Sequence, residues 1–420
     1  MNTVLPRFAL RLLAERAAAF RVVIVNGPRQ SGKTTLLSLF HSDHDGSFRS
    51  LDDATTLGVA RADPTEFARY GATPRIIDEV QRGGEELVLA IKYLVDRDTS
   101  KGQFVLSGST RFLTVPTLSE SLAGRAVFVE VWPFAAAERF GAAGDFCELL
   151  FAGRQSFADA AESPWTRADY LRLICAGGYP EVSTIDDPVL RQAWFDGYLS
   201  TVVLRDLTTF AQIHHGDLIP RLLAMLAARA GGPTVMSDLA KELQLNQATT
   251  RNYLSYLDTV FLTGRVSPWS TNLNARLVKT PKLFPTDSGL AAHLLQVDVD
   301  ALAAPGHPTA GVLLETFVYA ELTRLLAAGD LGATLHYYRD RDGREVDFLL
   351  ERRNGQVVGL EVKAAATVGP DDFRHLRWLA DRLGDRFAGG YVLHLGTRTL
   401  PFGDRMMALP LSAMWHHLAS

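Results

Sequence analysis

Residues 21–40 read RVVIVNGPRQSGKTTLLSLF. Val22-Val-Ile-Val-Asn26 is a β-branched run suited to a buried strand, and Lys33 onward has the apolar spacing of a helix. Between them, Gly27-Pro-Arg-Gln-Ser-Gly-Lys-Thr34 satisfies G-x-x-x-x-G-K-[ST]. The glycines let the loop curl so that backbone N–H groups face an anion, and the helix N-terminus adds its positive end. The reading predicts a phosphate cradle of Gly27, Pro28, Arg29, Gln30, Ser31, Gly32, Lys33, Thr34 and Thr35. Lys33 should reach the β and γ oxygens of ATP, and the Thr34 hydroxyl should hold Mg²⁺.

Working outward, Arg75-Ile-Ile-Asp78-Glu79 is an apolar strand ending in two carboxylates. With the loop, Asp78 is expected to bind the same Mg²⁺ and Glu79 to polarise the attacking water as general base. FVLSGST (104–110) ends in small polar residues that would place Ser107 or Ser109 near the γ-phosphate. Arg125, before the strand-like AVFVEV, is a candidate to stabilise transition-state charge, in cis or across subunits. Asp52 and Asp53 are weaker candidates for the same sheet edge. Alternating strands and helices over residues 20–140 indicate a parallel sheet covered by helices.

The 420 residues exceed one ordinary domain, and apolar (47%) and charged (21%) usage is that of a globular chain. The formal charge, 43 − 47 = −4, excludes a uniformly basic nucleic-acid binder. Cys147 and Cys175 alone make neither a disulfide scaffold nor a zinc ribbon. Apolar runs are too short for a membrane span, and the opening residues read as an amphipathic helix with Phe8, Leu12, Leu13 and Ala17 inward. A cytoplasmic protein without a membrane partner is expected.

In the middle of the chain, SDLAKEL (237–243), QLN and QATTRNYLSYLDTVFL (247–262) have the spacing of a helix-turn-helix, with Asn246 as N-cap and TGRVSPW as a wing. Gln247, Arg251, Asn252 and Ser255 would face a major groove. Residues 205–286 carry nine Lys/Arg against five Asp/Glu, a local excess of four positive charges suited to phosphate contact.

Further on, EVDFLLERRNGQVVGLEVK (345–363) reads as a hairpin. A three-residue loop, Arg353-Asn354-Gly355 with Gly355 left-handed, pairs residue 347 with 361. That register puts Val346, Phe348 and Leu350 on one face with Val358, Leu360 and Val362, and gathers Asp347, Glu361 and Lys363 on the other. Asp347 and Glu361 would hold Mg²⁺, Lys363 would orient or help deprotonate a water, and Glu315 on the preceding helix would be a further ligand or support.

Taken in order, NGPRQSGKTTLL, SLDD, IIDEVQR, LSGSTRFL and SLAGR resemble a bacterial AAA-type ATPase group. GGYPEV, YLSTVVLRDL, TPKLFPTDSGL and LLETFVYAEL extend that resemblance over most of the chain. Its members carry a C-terminal domain of unknown function related to the PD-(D/E)XK nucleases, whose D…ExK spacing Asp347, Glu361 and Lys363 match. The expected architecture is α/β: a P-loop NTPase domain with an AAA-type parallel sheet (1–150), a helical region (151–285) containing a winged helix-turn-helix at about 219–270, and a nuclease-like α/β domain (286–420). The expected activity is Mg²⁺-dependent ATP hydrolysis that reorients DNA-facing modules, with DNA bound through the winged helix and C-terminal domain and metal-dependent cleavage at the carboxylates. The alternative is a nucleotide-gated switch that binds a protein partner, or its own copies, through a catalytically silent nuclease-like domain.

Overall fold

A computed structural model describes residues 5–109, 122–157, 162–202, 218–270, 280–304 and 306–416. Residues 110–113 of STRFL and the whole 203–217 segment therefore lie outside the described residues. The chain forms two compact units, residues 1–133 with 259–261, and residues 134–258 with 262–420.

The first unit is built on five strands, β1 (Val22–Asn26), β2 (Ser47–Ser50), β3 (Arg75–Asp78), β4 (Phe104–Gly108) and β5 (Ala126–Glu130). They lie in the order β2-β3-β4-β1-β5, all parallel. Period-2 alternation sorts their side chains into two cores. Val22, Ile24, Ile77, Phe104 and Leu106 pack on Leu87, Ile91 and Val95 of helix Gly84–Arg97. Val23, Val25, Ile76, Val105 and Val129 pack on Leu12 and Leu13 of helix Phe8–Ala19 and on Leu36, Leu37 and Phe40 of helix Lys33–Ser42. Covered on both faces, the central strands β1 and β4 are fully buried along their length, whereas β2 at the sheet edge is half-buried and polar. In the first helix Ala9 is buried in place of the expected Phe8, which is half-buried.

In the second unit, β6 (Thr263–Pro268), β7 (Lys282–Pro285), β8 (Ala333–Arg339), β9 (Glu345–Arg352), β10 (Val357–Lys363), β11 (Phe387–His394), β12 (Leu400–Pro401) and β13 (Met406–Pro410) form one sheet, ordered β12-β13-β11-β10-β9-β8-β6-β7. Helices Met236–Glu242 and Gln247–Thr259 are joined by residues 243–246, where Gln244 takes φ +56° and Asn246 Oδ1 caps the second helix by accepting from Thr249 N at 2.8 Å. Gln247, Arg251, Asn252 and Ser255 are exposed. The strand pair that follows, β6 with β7, is antiparallel, and β6 also pairs in parallel with β8 through Ser267 and His336. A boundary at 285/286 therefore does not exist as a break in packing: backbone hydrogen bonds carry the sheet across it.

The hairpin register is as read. Leu360 faces Phe348, Val357 faces Glu351, and Gly355 N donates to Arg352 O with Gly355 at φ +83°. The division into faces is not. His336 pairs with Leu349 but Tyr338 with Val346, so β9 advances three residues while β8 advances two. This bulge at Asp347-Phe348 reverses the alternation beyond it. Val346 and Leu349 both pack on Leu376, Leu379 and Phe373. Phe348 instead meets Phe284, which stacks on Tyr319 of helix Pro308–Ala328. Neither face is simply polar, because helices cover both.

Candidate functional site

In the first unit, β1 ends at Asn26 and the loop turns back into helix Lys33–Ser42. Gly27 is required sterically: a Cβ there would stand 2.1 Å from Val131 O. Gly32 takes φ +92°, a conformation that favours glycine, directly before the helix. Lys33, 5% exposed, lies along the loop and donates to the carbonyls of Gly27 (3.0 Å) and Pro28 (2.7 Å). Thr34 Oγ1 donates to Asp78 Oδ2 at 2.9 Å. This hydroxyl and carboxylate come from β1's loop and from β3, with β4 between the two strands.

β4 supplies the fixing element. Ser107 Oγ donates to Asp78 Oδ1 and accepts from Glu79 N at 3.1 Å. Fully buried, Ser107 holds the Asp78 carboxylate directly and fixes Glu79 through its backbone amide. Glu79 itself takes φ +54°. Its Oε2 accepts from Gln81 Nε2 and, at 3.4 Å, from Ser109 Oγ. Burial raises its carboxyl above the usual range, with the Lys33 charge opposing. Gln81 was visible in IIDEVQR, but nothing in the spacing signalled that the turn would fold it back onto Glu79. The cradle therefore suits a nucleotide phosphate chain with Mg²⁺: it offers backbone room, an ammonium, a hydroxyl and a carboxylate at one strand edge.

Three other candidates lie elsewhere. Arg125 precedes Ala126, which pairs with Val22 at the start of β1, whereas the loop leaves from its end. The separation along β1 is roughly 13 Å at a strand's ordinary rise. There Arg125 forms an ion pair with Asp96, with a 3.1 Å contact from Nη2. Asp53 caps helix Ala54–Ala62 through Thr56 N at 2.7 Å, and Asp52 pairs with Arg82.

The second unit assembles the acidic cluster. Asp347 Oδ2 accepts from Val362 N at 2.9 Å. Lys363 Nζ lies 3.4 Å from Glu361 Oε2, while Glu361 Oε1 is buried without a hydrogen-bond partner. Burial, then Asp347, pushes the Glu361 carboxyl up to about 9, against the pull of Lys363. Burial, then Asp347, pushes Glu315 up to about 7, against Lys282. Lys282, from β7, has no exposed surface, and its Nζ stands 3.1 Å from Glu315 Oε1 and 2.9 Å from Glu345 Oε1. Sequence reasoning missed both Lys282 and Glu345. Among the described residues, no three His, Cys, Asp or Glu side chains stand together closely enough to hold a metal ion. The structure thus brings Asp347, Glu361 and Lys363 together and binds Glu315 to Lys282 instead. The orphaned Glu361 oxygen still fits a cation, and Mg²⁺ is commonly held by only one or two carboxylates, with water and substrate oxygens completing the shell.

Two clefts accompany these residues. One of about 600 Å³ lies between the helix pair and the β6–β7 ladder, lined by Ser237, Gln247, Arg251 and Arg265. The larger, about 960 Å³, is lined by Arg139, Arg191, His293 and Asp298 among others. Arg139 and Arg191 there donate to backbone carbonyls of Gly177, Ser183 and Ile185, so they brace the wall. Among the described residues no helix is long and apolar enough to cross a membrane.

Comparison with known proteins fits this geometry. Residues 19–140 match the model of an AAA domain, and residues 167–301 and 310–414 match two domains of unknown function, DUF8612 and DUF4143. An uncharacterized protein of Mycobacterium tuberculosis is 32% identical over 418 residues, covering 96% of this chain and 85% of the relative, and one of Mycobacterium bovis matches equally. An uncharacterized protein of Methanocaldococcus jannaschii is 22% identical, covering 80% and 74%. Among solved structures, the Walker-type ATPase of Pyrococcus abyssi overlaps 68% of this chain and 94% of its own at 16% identity, with a TM-score of 0.41. The Thermotoga maritima RuvB Holliday junction branch migration motor overlaps 62% and 90% at 16% identity and 0.28. The chain belongs to the family of these mycobacterial proteins, P-loop ATPases by fold, in which an AAA domain precedes a DUF4143 domain.

Proposed function

We propose that this protein is a Mg²⁺-dependent ATPase that acts on DNA. The observation that carries the ATPase reading is the convergence of Thr34 Oγ1 and Asp78 Oδ2 at 2.9 Å beside Glu79 and Lys33. Bound Mg²⁺ would supply charge neutralisation on the phosphate oxygens. Thr34 and Asp78 would hold it, Lys33 would leave its loop carbonyls for the β and γ oxygens, and Glu79, oriented by Gln81 and Ser109, would accept a proton from water. Ser107 would keep the Asp78 carboxylate and the Glu79 backbone in place. Activity lost in Lys33→Ala with the fold retained tests this reading; an unchanged rate rejects it.

For DNA, the support is the exposed row Gln247, Arg251, Asn252 and Ser255 on a capped helix, beside a cleft that Arg265 also lines. Such a row supports reading the pair as a helix-turn-helix whose second helix would face a major groove, with β6 and β7 as its wing. Cleavage would use Asp347 and Glu361 to hold Mg²⁺ and Lys363 to orient water. Metal-dependent cutting of plasmid and linear DNA by wild type, absent in Lys363→Ala, tests it. Binding that weakens steeply with salt tests phosphate contact separately.

The second reading, a nucleotide-gated switch whose nuclease-like domain binds a protein partner without cutting, is favoured by one observation. Lys282 sits among carboxylates where metal chemistry would otherwise be built.

A further inference from the structure

Four carboxylates, Glu315, Glu345, Asp347 and Glu361, and two lysines, Lys282 and Lys363, share one buried locality in the second unit. They divide into two sets. Lys282 serves Glu315 and Glu345 at hydrogen-bond distance, with the Tyr337 ring 5.2 Å away. Arg339 approaches the other Glu345 oxygen at 3.7 Å from a half-exposed position. Glu315 is held in place from behind: Gly231, at φ +88°, lies so close that a Cβ would meet Glu315 Oε2 at 2.3 Å. Asp347 and Glu361 form the other set: Lys363 Nζ lies 3.4 Å from Glu361 Oε2, the buried Glu361 Oε1 accepts no hydrogen bond from an N–H or hydroxyl donor, and Asp347 stands between the sets, its charge acting on Lys282 as well as on Glu361.

A fully buried ammonium between two carboxylates is costly to assemble, because each charge must leave water. Its electrostatic effect is that of a cation bolted to the chain. We propose that Lys282 is a resident cation that replaces a metal ion on the Glu315–Glu345 side, so the cluster takes one divalent ion, at Asp347 and Glu361, and never two. Two-metal phosphodiester chemistry needs ions about 3.5–4 Å apart. Lys282 excludes it by occupying one seat, leaving a one-metal site in which Glu315 positions the lysine and is not a ligand. Lys282 is thus a positioning residue, far in sequence from the hairpin it serves. The inference deepens the proposed metal-dependent reading and rests on it.

Calorimetric titration of Mn²⁺ into the full chain without nucleotide tests it. An Asp78→Asn background keeps the phosphate loop from contributing a carboxylate. One ion per chain is expected, retained in Glu315→Gln and in Lys282→Arg, and lost in Glu361→Gln. Lys282→Met should take up a second ion and gain thermal stability with added Mn²⁺ well beyond the parent. Two ions in the parent, or loss of the ion in Glu315→Gln, overturns the proposal even where Lys282→Met fails to fold. A folded Lys282→Met that still binds one ion also overturns it. No ion in the parent instead removes the metal reading of Asp347 and Glu361 itself, a distinct failure.

Discussion

The two charged sites of this protein are assembled differently. At the phosphate loop, residues 27–35 are consecutive, and the partner carboxylates sit at the end of one nearby strand. Chain connectivity and the start of a helix place the donors, so the local geometry is close to what spacing alone implies. At the acidic cluster, helix Pro308–Ala328, β7, β9 and β10 each bring one or two charges. No local rule relates Lys282 to Glu345, which are 63 residues apart in number yet 2.9 Å apart in space. A contiguous motif carries its own counter-charges, whereas a dispersed one receives them from whatever the sheet order places beside it.

Breaking the first site should have the largest effect. Lys33→Ala should reduce ATP hydrolysis to background in a steady-state phosphate-release assay, with an unchanged circular dichroism spectrum. Next, Glu79→Gln should hydrolyse ATP slower by a factor of roughly 10²–10⁴, the range for removing a general base. It should keep nucleotide affinity; loss of binding would show that Glu79 mainly supports the turn at φ +54°.

The comparison sharpens at the second site, where charges depend on tertiary partners. Lys282→Met strands Glu315 and Glu345 and should cost about 3–5 kcal/mol in denaturant unfolding without metal, the size found when one member of a buried pair is removed. A loss below about 1 kcal/mol, typical of exposed pairs, would mean that water reaches the cluster. Smaller still, Asn246→Ala removes a helix cap and should cost about 1 kcal/mol by the same measurement. The least effect is expected for Arg125→Ala. Its ion pair lies at the strand edge away from the loop, so ATPase rate within twofold of wild type is the expected result. A large fall would place Arg125 at a neighbouring subunit's nucleotide.

Most of the phosphate site was readable in advance, because loop curvature, helix start and strand end are short-range steric facts. The hairpin register was readable for a related reason: a three-residue loop with Gly355 left-handed sets the pairing that runs from Val357–Glu351 to Leu360–Phe348. What stayed hidden was the bulge at Asp347-Phe348, opposite Tyr337 on the neighbouring strand, and with it the crossing of Val346 to the other face. Gln81 on Glu79 was hidden as well, since a side chain folding back across a turn leaves no periodic trace.

The amino-acid sequence by itself determined the parallel sheet with its phosphate loop, the capped helix pair and the hairpin pairing, since each follows from backbone sterics and side-chain period within some twenty residues. Tertiary structure alone decided that β6 would stitch the strand pair to the C-terminal sheet, that Arg125 would sit at the far strand edge, and that Lys282 would neutralise Glu315 and Glu345. Those outcomes depend on strand order and on which buried charges must share a space, and that requirement appears only once the chain has closed on itself.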